Sequence, residues 1–459
     1  MLGKTPKYHQ VDLFQTPLKN FINMEHELIQ LADAIDWDAV EVEFKGYFAE
    51  LGRPGVPIRK MVGLMLLKSL YNLSDENTVA RWVENPYYQY FTGEFVFQTT
   101  PPIDPADFSK FRRRIGEEGA EKLLKLSIQL NADECVKETE VMVDTTVQEK
   151  NITFPTDVKL TRKVIARCLK TARKENITLR RTYTRELKKL NLQTRFMNHP
   201  KRKREGLKAK KRLQTIGKAL VNDLARKMNS EQLKVNLGDL MLYSRVLTQK
   251  RTDSNKVYSL HEPEVQCIAK GKEHKQYEFG NKSSIAKTKT GVIVGAMAFK
   301  GNPFDGHTLP EQLDQIKRLS GMTVKNALVD RGYRGRKWIE DTKVEIPGTG
   351  KPTDSYYTKQ KARKKFCRRA GIEPVIGHIK QDHRMQRNYL KGTLGDAINT
   401  MLAAAGYNLK HWLNKVIFVF KSIYELLIAE TLDFLILAQT RQLSFLTQSS
   451  FGKRGFWQV

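Results

Sequence analysis

Three carboxylates stand where a metal could be held. Asp144 closes the apolar alternating run Glu140-Val141-Met142-Val143-Asp144. Asp330 closes Ala327-Leu328-Val329-Asp330 and is followed by Arg331-Gly332-Tyr333. Glu373 lies in a basic stretch, with Arg369 four residues before it and Lys380 seven after it. A carboxylate at the end of a strand projects from a rigid sheet edge. Two such strands and one glutamate from a packed helix can converge on hard divalent cations. Mg²⁺ takes oxygen ligands and keeps several waters, so a few carboxylates suffice. Two ions about 3.5–4 Å apart can stabilise both the attacking and the leaving oxygen at a phosphodiester.

The charge of the chain says where such a phosphodiester would come from. Its 459 residues include 79 Lys+Arg against 50 Asp+Glu, a net charge of +29. That excess attracts a polyanion and gains from counterion release. A generally basic protein without chemistry is the alternative that charge alone leaves open. The length allows roughly two to four domains with their own cores. Cys135, Cys168, Cys267 and Cys367 are scattered, with no Cys-x-x-Cys pair. Neither a disulfide framework nor a zinc ribbon follows, and a reducing compartment fits. The start, Met1 to Pro6, lacks the apolar core of a signal peptide. Residues 416–439 are rich in Ile, Leu and Phe, but Lys421, Glu425, Glu430 and Asp433 interrupt them. Each of those charges is costly at a bilayer centre. The expectation is an amphipathic helix over a 416–459 tail, packed on protein, and no membrane span.

The elements that must position the acids follow from periodicity. Ile58, Met61, Val62, Met65 and Leu66 recur at helical spacing behind Pro57, and Ser74 can cap a further helix to Glu84. Asp104 or Asp107 starts another helix, which carries Phe108, Phe111 and Ile115 with Arg112, Arg113 and Arg114 alongside. This reads as an N-terminal helical domain, residues 1–133. Its basic edge suits a DNA groove, or is a solvated face. Residues 138–147 read as a strand with Asp144 near its end. Between Lys159 and Lys227 lie 24 Lys+Arg and 4 Asp+Glu. Leu160, Val164, Cys168 and Ala172, then Leu213, Ile216, Leu220 and Leu224, form thin apolar stripes on cationic helices. Such helices, with Lys201, Arg202, Lys203 and Arg204 between them, suit contacts to a phosphate backbone without base specificity. A solvated arm is the alternative.

Strand patterns return at 265–268, 277–286, 291–299, 325–330 and 344–346, with a helix at 309–319. A long helical region follows from about Lys359, and Asn399 to Leu413 reads as an Ala-rich apolar helix. With the basic insertion (159–234) set aside, an α/β mixed sheet with flanking helices remains over 134–158 and 235–415. Asp144 and Asp330 become neighbours if their two strands pair.

These stretches together resemble the IS5-type DDE transposases of bacterial insertion sequences, within the ribonuclease-H-like superfamily. The likeness is carried by Tyr71-Asn72-Leu73-Ser74-Asp75, Phe108 to Arg112, Asp144 to Lys150, Asn302 to His307, Asp330 to Gly335, Ile372 to Lys380, and Ala404 to Leu409. Around the third acid the family has Tyr-x2-Arg-x3-Glu-x6-Lys, met here by Phe366, Arg369, Glu373 and Lys380. Phe366 brings no phenolic hydroxyl to that place. Here 185 residues separate Asp144 from Asp330 and 42 separate Asp330 from Glu373, so the insertion lies between the first two acids.

The resemblance implies an enzyme of ribonuclease-H-like fold, acting on double-stranded DNA in the bacterial cytoplasm in association with the nucleoid. It would cleave element ends and transfer the freed 3′-OH to target DNA. Asp144, Asp330 and Glu373 would hold two Mg²⁺ or Mn²⁺ ions, with Asp144 shared. Arg369 and Lys380 would hold phosphate, Arg through a fork and Lys as a point charge. His307 and His378 are accessory candidates, each also readable as a hydrogen-bonded structural histidine. Thr145 and Gln148 read as supporting or DNA-contacting residues. Holding two ends calls for at least a homodimer. A metal-dependent nuclease without strand transfer and a transposase-derived DNA-binding protein are the alternatives.

Overall fold

The computed structural model describes Gly3 and residues 16–49, 51–52, 55–135, 137–269, 276–348 and 353–418. Nearly all of the 416–459 tail lies outside the described residues.

The chain opens with helices α1 (Glu27–Ala34), α2 (Trp37–Lys45), α3 (Ile58–Leu70), α4 (Asp75–Glu84), α5 (Pro86–Phe91), α6 (Pro105–Gln129) and α7 (Ala132–Cys135). Capping side chains set their starts. Ser74 accepts from Asn77 N at the head of α4. Asn85 ends α4 and caps α5, where Pro86 falls in the first turn and gives up no needed hydrogen bond. Asp104 and Asp107 form a capping box on α6, which kinks at Gly116. Helix α3 is buried on every side, so its apolar residues run past a single stripe.

Next comes β1 (Glu140–Lys150), followed by the basic insertion: α8 (Asp157–Lys174), α9 (Thr184–Gln193), α10 (Lys203–Lys227) and α11 (Ser230–Thr248). Strands β2 (Gln266–Ala269), β3 (Tyr277–Thr288) and β4 (Ile293–Phe299) follow, then α12 (Asp305–Ser320), β5 (Asn326–Leu328), β6 (Trp338–Ile339) and β7 (Thr342–Glu345). The chain goes on through α13 (Tyr356–Ala370), α14 (Ile372–Asp382) and β8 (Arg387–Asn388). Residues 392–418 are helical, here α15.

Among the described residues eight strands form one open mixed sheet. Its main path is β2-β3-β1-β5-β7-β6, with β4 paired to β3 and β8 to β1. Strands β4, β3 and β1 run antiparallel. On the other side of β1, strands β5 and β7 are parallel to it and to each other. The pairing that sequence left conditional is therefore present: Met142 lies opposite Leu328, two residues before each acid. One expectation is corrected. Asp144 is not near a strand end, because β1 continues to Lys150 and pairs with β3 as far as Glu149 opposite Gly280. The β-branched Thr145-Thr146-Val147 run suits this extension.

Among the described residues two large cores hold the molecule, and Met142, Leu328 and Ile372 form a small third cluster. The larger runs without a break from Leu28, Leu64 and Phe108 of the N-terminal helices to Val143, Ile285, Ile316 and Ala404 of the sheet and its helices. Helix α15 closes it through small residues. A Cβ on Gly406 would stand 2.6 Å from the Ser69 carbonyl oxygen of α3, so only glycine permits that approach. Asn408 accepts from Ile293 N at 2.8 Å and donates to the Ile293 carbonyl at 2.8 Å, locking α15 to the edge strand β4. The second core belongs to the insertion. It runs from Val158 through Leu213, Ile216, Leu220 and Leu224 to Leu260.

Candidate active site

The first acid is placed by the sheet. Asp144 sits on β1 on the same face as Met142, which packs with Leu328 and Ile372 beneath the start of α14. Its Oδ1 accepts from Thr145 N at 2.7 Å. The second acid leaves β5 and caps the short turn Arg331–Tyr333, its Oδ1 accepting from Gly332 N at 2.8 Å. A side chain at Gly332 would displace both carboxylates. A Cβ would stand 2.5 Å from an Asp305 oxygen and 2.9 Å from Asp330 Oδ1. The third acid lies at the second position of α14, with Pro374 in the first turn, where proline is tolerated. Gly371 ends α13 just before it. Arg369 and Glu373 thus belong to two helices, yet the four-residue offset still brings their side chains together at 3.0 Å.

One side chain joins the three. The Arg369 guanidinium contacts Asp144 Oδ2 at 3.2 Å, Asp330 Oδ2 at 3.7 Å and Glu373 Oε1 at 3.0 Å. Arg369 and Asp144 are mostly buried, Asp330 is 35 % exposed and Glu373 62 %. The acids thus form an arc that opens to solvent on the Glu373 side. Their donors are all carboxylate oxygens, the chemistry a hard divalent ion takes. Among the described residues no three His, Cys, Asp or Glu side chains stand close enough to grip one ion as placed. The donor set suits an ion, and the guanidinium occupies the centre that the ion would need.

Sequence missed several neighbours. Asp305, at the start of α12, accepts from Thr145 Oγ1 and from Lys282 Nζ, each at 2.7 Å. Thr145 therefore ties this fourth carboxylate to the strand of the first. The Tyr333 hydroxyl is pushed well above its ordinary pKa, first by burial and then by the negative charges of Asp144 and Asp305. It stays protonated. Lys287, on β3 opposite Met142, is 8 % exposed. Burial lowers its pKa, and its Nζ lies beside Gly371 at the junction of α13 and α14. No local motif marks Lys282 or Lys287, and Asp305 lies in the Asn302 to His307 stretch with nothing in the sequence to tie it to the acids. The fold brings them to the acids.

Other candidates fall elsewhere. Arg112 is not on a basic edge. It is 6 % exposed and grips Asp75 through two hydrogen bonds, at 2.9 and 2.7 Å, because its turn of α6 faces α4. Arg113 and Arg114 are exposed. Gln148 is fully buried and bonds Thr400 and Asn388, so it does not reach DNA. His307 stacks edge-on against Phe304, and His378 pairs with Asp382 at 2.9 Å. Neither contacts the three acids. Lys380 lies on α14, two turns beyond Glu373. Lys201, Lys203 and Arg204 are exposed at the tip between α9 and α10. Arg202 there pairs with Glu205 and stacks on Phe196.

With this geometry in place, comparison with known proteins is informative. Residues 16–114 match the transposase domain DUF772, and residues 248–409 match the transposase DDE domain. Asp330 and Glu373 fall within the second match. Asp144 and the helical insertion lie between the two. The chain is 40 % identical over 203 residues to an uncharacterised protein, ORF8 of the nfe locus of Rhizobium meliloti, covering 98 % of that protein and 43 % of this one. No solved structure matches. Among the described residues no helix is long and apolar enough to cross a membrane.

Proposed function

We propose, on the premise that this chain belongs to the DDE transposases of insertion sequences, that it is an IS5-type enzyme of ribonuclease-H-like fold, which cuts DNA at the element ends and joins the freed 3′-OH to target DNA. The observation that carries the reading is the single guanidinium in contact with acids from β1, the β5 turn and α14. Carboxylates separated by up to 228 positions share one site, and that site opens to solvent in a chain of net charge +29.

In the first reaction the oxygen of water bonds to phosphorus, the bond from phosphorus to the 3′ oxygen breaks, and that oxygen gains a proton. In the second the 3′-OH attacks a target phosphate, and the target's own 3′ oxygen leaves. Asp144, Asp330 and Glu373 would hold two Mg²⁺ or Mn²⁺ ions, which supply positive charge to the attacking and leaving oxygens. Arg369 gives up its carboxylate partners and turns its fork to a phosphate oxygen. Lys380 adds a point charge further along α14. Asp305, held by Thr145 and Lys282, keeps the Asp144 strand and the Asp330 turn in register. Arg113, Arg114, Lys201, Lys203 and Arg204 contact the duplex backbone, and a homodimer holds two ends.

Asp144→Asn keeps the size of the side chain and removes its charge. It should lower cleavage of end-bearing DNA by about 10³-fold or more while leaving DNA binding within about threefold. Full strand transfer by this variant with Mg²⁺ would sink the assignment. Incubation of wild-type protein with donor ends and a target plasmid separates the two enzymatic readings. Joined products mark a transposase, and cut ends alone mark a nuclease.

A further inference from the structure

A cleft of about 860 Å³ opens between the N-terminal helices and the segment that follows α14. Lys68 of α3, Asp75 at the head of α4, and Arg112 and Arg113 of α6 form one side. Arg384, Tyr389 and Lys391, in the turn between α14 and α15, form the other. Its charge is unbalanced from the inside. Lys68 and Arg112 are both buried, and they share one carboxylate, Asp75, at 2.5 and 2.7 Å. Two cations against one anion leave a net positive charge at the floor. Burial outweighs Asp75 and lowers the Lys68 pKa to about 8, so the ammonium keeps its charge at neutral pH under strain. Arg113, Arg384 and Lys391 add three cations at the mouth, against Glu76 alone.

The walls are fixed. Asn72 donates to the Gln381 carbonyl at 2.8 Å, Arg384 donates to the Asn72 carbonyl at 3.3 Å, and the His383 ring bonds the Ser69 carbonyl at 2.9 Å. Arg384 also lies over the exposed Tyr389 ring, 5.4 Å from its centre. A cleft with fixed walls, surplus buried positive charge, an apolar lining that includes Leu390, Leu394 and Ile398, and an exposed aromatic face suits an anion that carries flat groups, as a nucleic acid strand does.

We propose that this cleft binds the sugar-phosphate backbone of the DNA strand being cut, to one side of the cut. The spacing is set by α14, which carries Glu373 at its head and ends at Asp382, two residues before Arg384 of the cleft wall. At 1.5 Å per residue that is about 14 Å. With about 3.4 Å of rise per nucleotide, the bound phosphate lies roughly four nucleotides from the scissile one. The N-terminal helices and the catalytic sheet then grip one strand together. The proposal rests on the reading of the acids as a DNA-cutting site.

The test uses full-length protein with Asp144→Asn, so that DNA stays uncut, and end duplexes carrying single methylphosphonates at successive positions. Removal of a phosphate charge about four nucleotides from the cut should weaken binding by roughly tenfold. In the exposed double variant Arg113→Glu/Lys391→Glu that position should become insensitive, and the slope of log K against log salt should fall by about 2. Arg384→Ala, at the wall, should give a smaller loss of the same sign. Inorganic phosphate at millimolar concentration should not compete. Competition by it would assign the cleft to a free anion and overturn the proposal. So would a variant that melts like wild type and keeps both the interference pattern and the salt slope. Cleavage by the wild-type acids is measured separately. Ends cut normally by a variant with unaltered interference would sink the cleft and leave the active site standing.

Discussion

A guanidinium set among three carboxylates keeps them together and competes with any other cation for them. In Arg369→Ala the mostly buried Asp144 loses its 3.2 Å contact to this arginine, while the largely exposed Glu373 loses little. The variant should be less stable in EDTA by about 1–3 kcal/mol. Mg²⁺ or Mn²⁺ should then raise its Tm more than it raises that of wild type, because the competing charge is gone. Equal metal-induced shifts in both proteins would show that the ions bind away from these acids. Lys287 makes the opposite case. Among the described residues it has no carboxylate partner, and burial alone lowers its pKa. Lys287→Met should stabilise the fold by about 0.5–2 kcal/mol, checked by thermal melting, at a cost in end cleavage. The apolar runs that carry Asp144 and Asp330 and the basic stretch that carries Glu373 were legible in the sequence. Lys287 and Asp305 were not, since cross-strand pairing and a helix start bring them in from 143 and 161 positions beyond Asp144. The inward turn of Arg112 was illegible for a related reason. Three consecutive arginines look alike in sequence, and only the fold turns one of them inward to Asp75.

At the scale of elements, the insertion was the part most plainly written in the sequence. The stripes of Leu160, Val164, Cys168 and Ala172 and of Leu213, Ile216, Leu220 and Leu224 became buried helix faces. Strand ends were less legible. Alternation told where β1 begins and carried it to residue 147, but not that its ladder runs on to Lys150. The insertion has its own core, so its surface charge can be changed without disturbing the acids. Lys201, Lys203 and Arg204 project from its tip, and Arg202 is held back by Glu205. Reversing those three to glutamate should weaken duplex binding and lower the salt slope by up to about 3, since each phosphate contact contributes about 0.9. Filter binding from low to moderate salt reads the slope. A slope equal to that of wild type would turn this face away from DNA.

For the whole molecule, sequence drew a boundary at residue 133, and the packing is continuous across it. Ile58, Leu64 and Phe108 share one apolar core with Val143, Ile293 and Ile316. Polar contacts cross the same seam. Arg318 of α12 pairs with Glu121 of α6 at 2.5 Å, and Asn408 of α15 reaches Ser127 Oγ at 3.1 Å. A DNA-binding module on a linker would fold and move apart from its enzyme, because few contacts cross such a boundary. Here the N-terminal helices are part of what holds the catalytic sheet. Sequence could not show this, since an apolar helix stripe looks the same whether it faces its own domain or another. A chain that begins at Lys137 should therefore expose the faces of β4, α12 and α15 that the N-terminal helices cover. It should be recovered as aggregate, or without a cooperative melt. The insertion inside that truncated chain keeps its separate core and should still show helical circular dichroism and a transition of its own. A truncated protein that melts cooperatively and still cuts end DNA would mean that the shared core is dispensable, and that the N-terminal helices only deliver DNA to the acids.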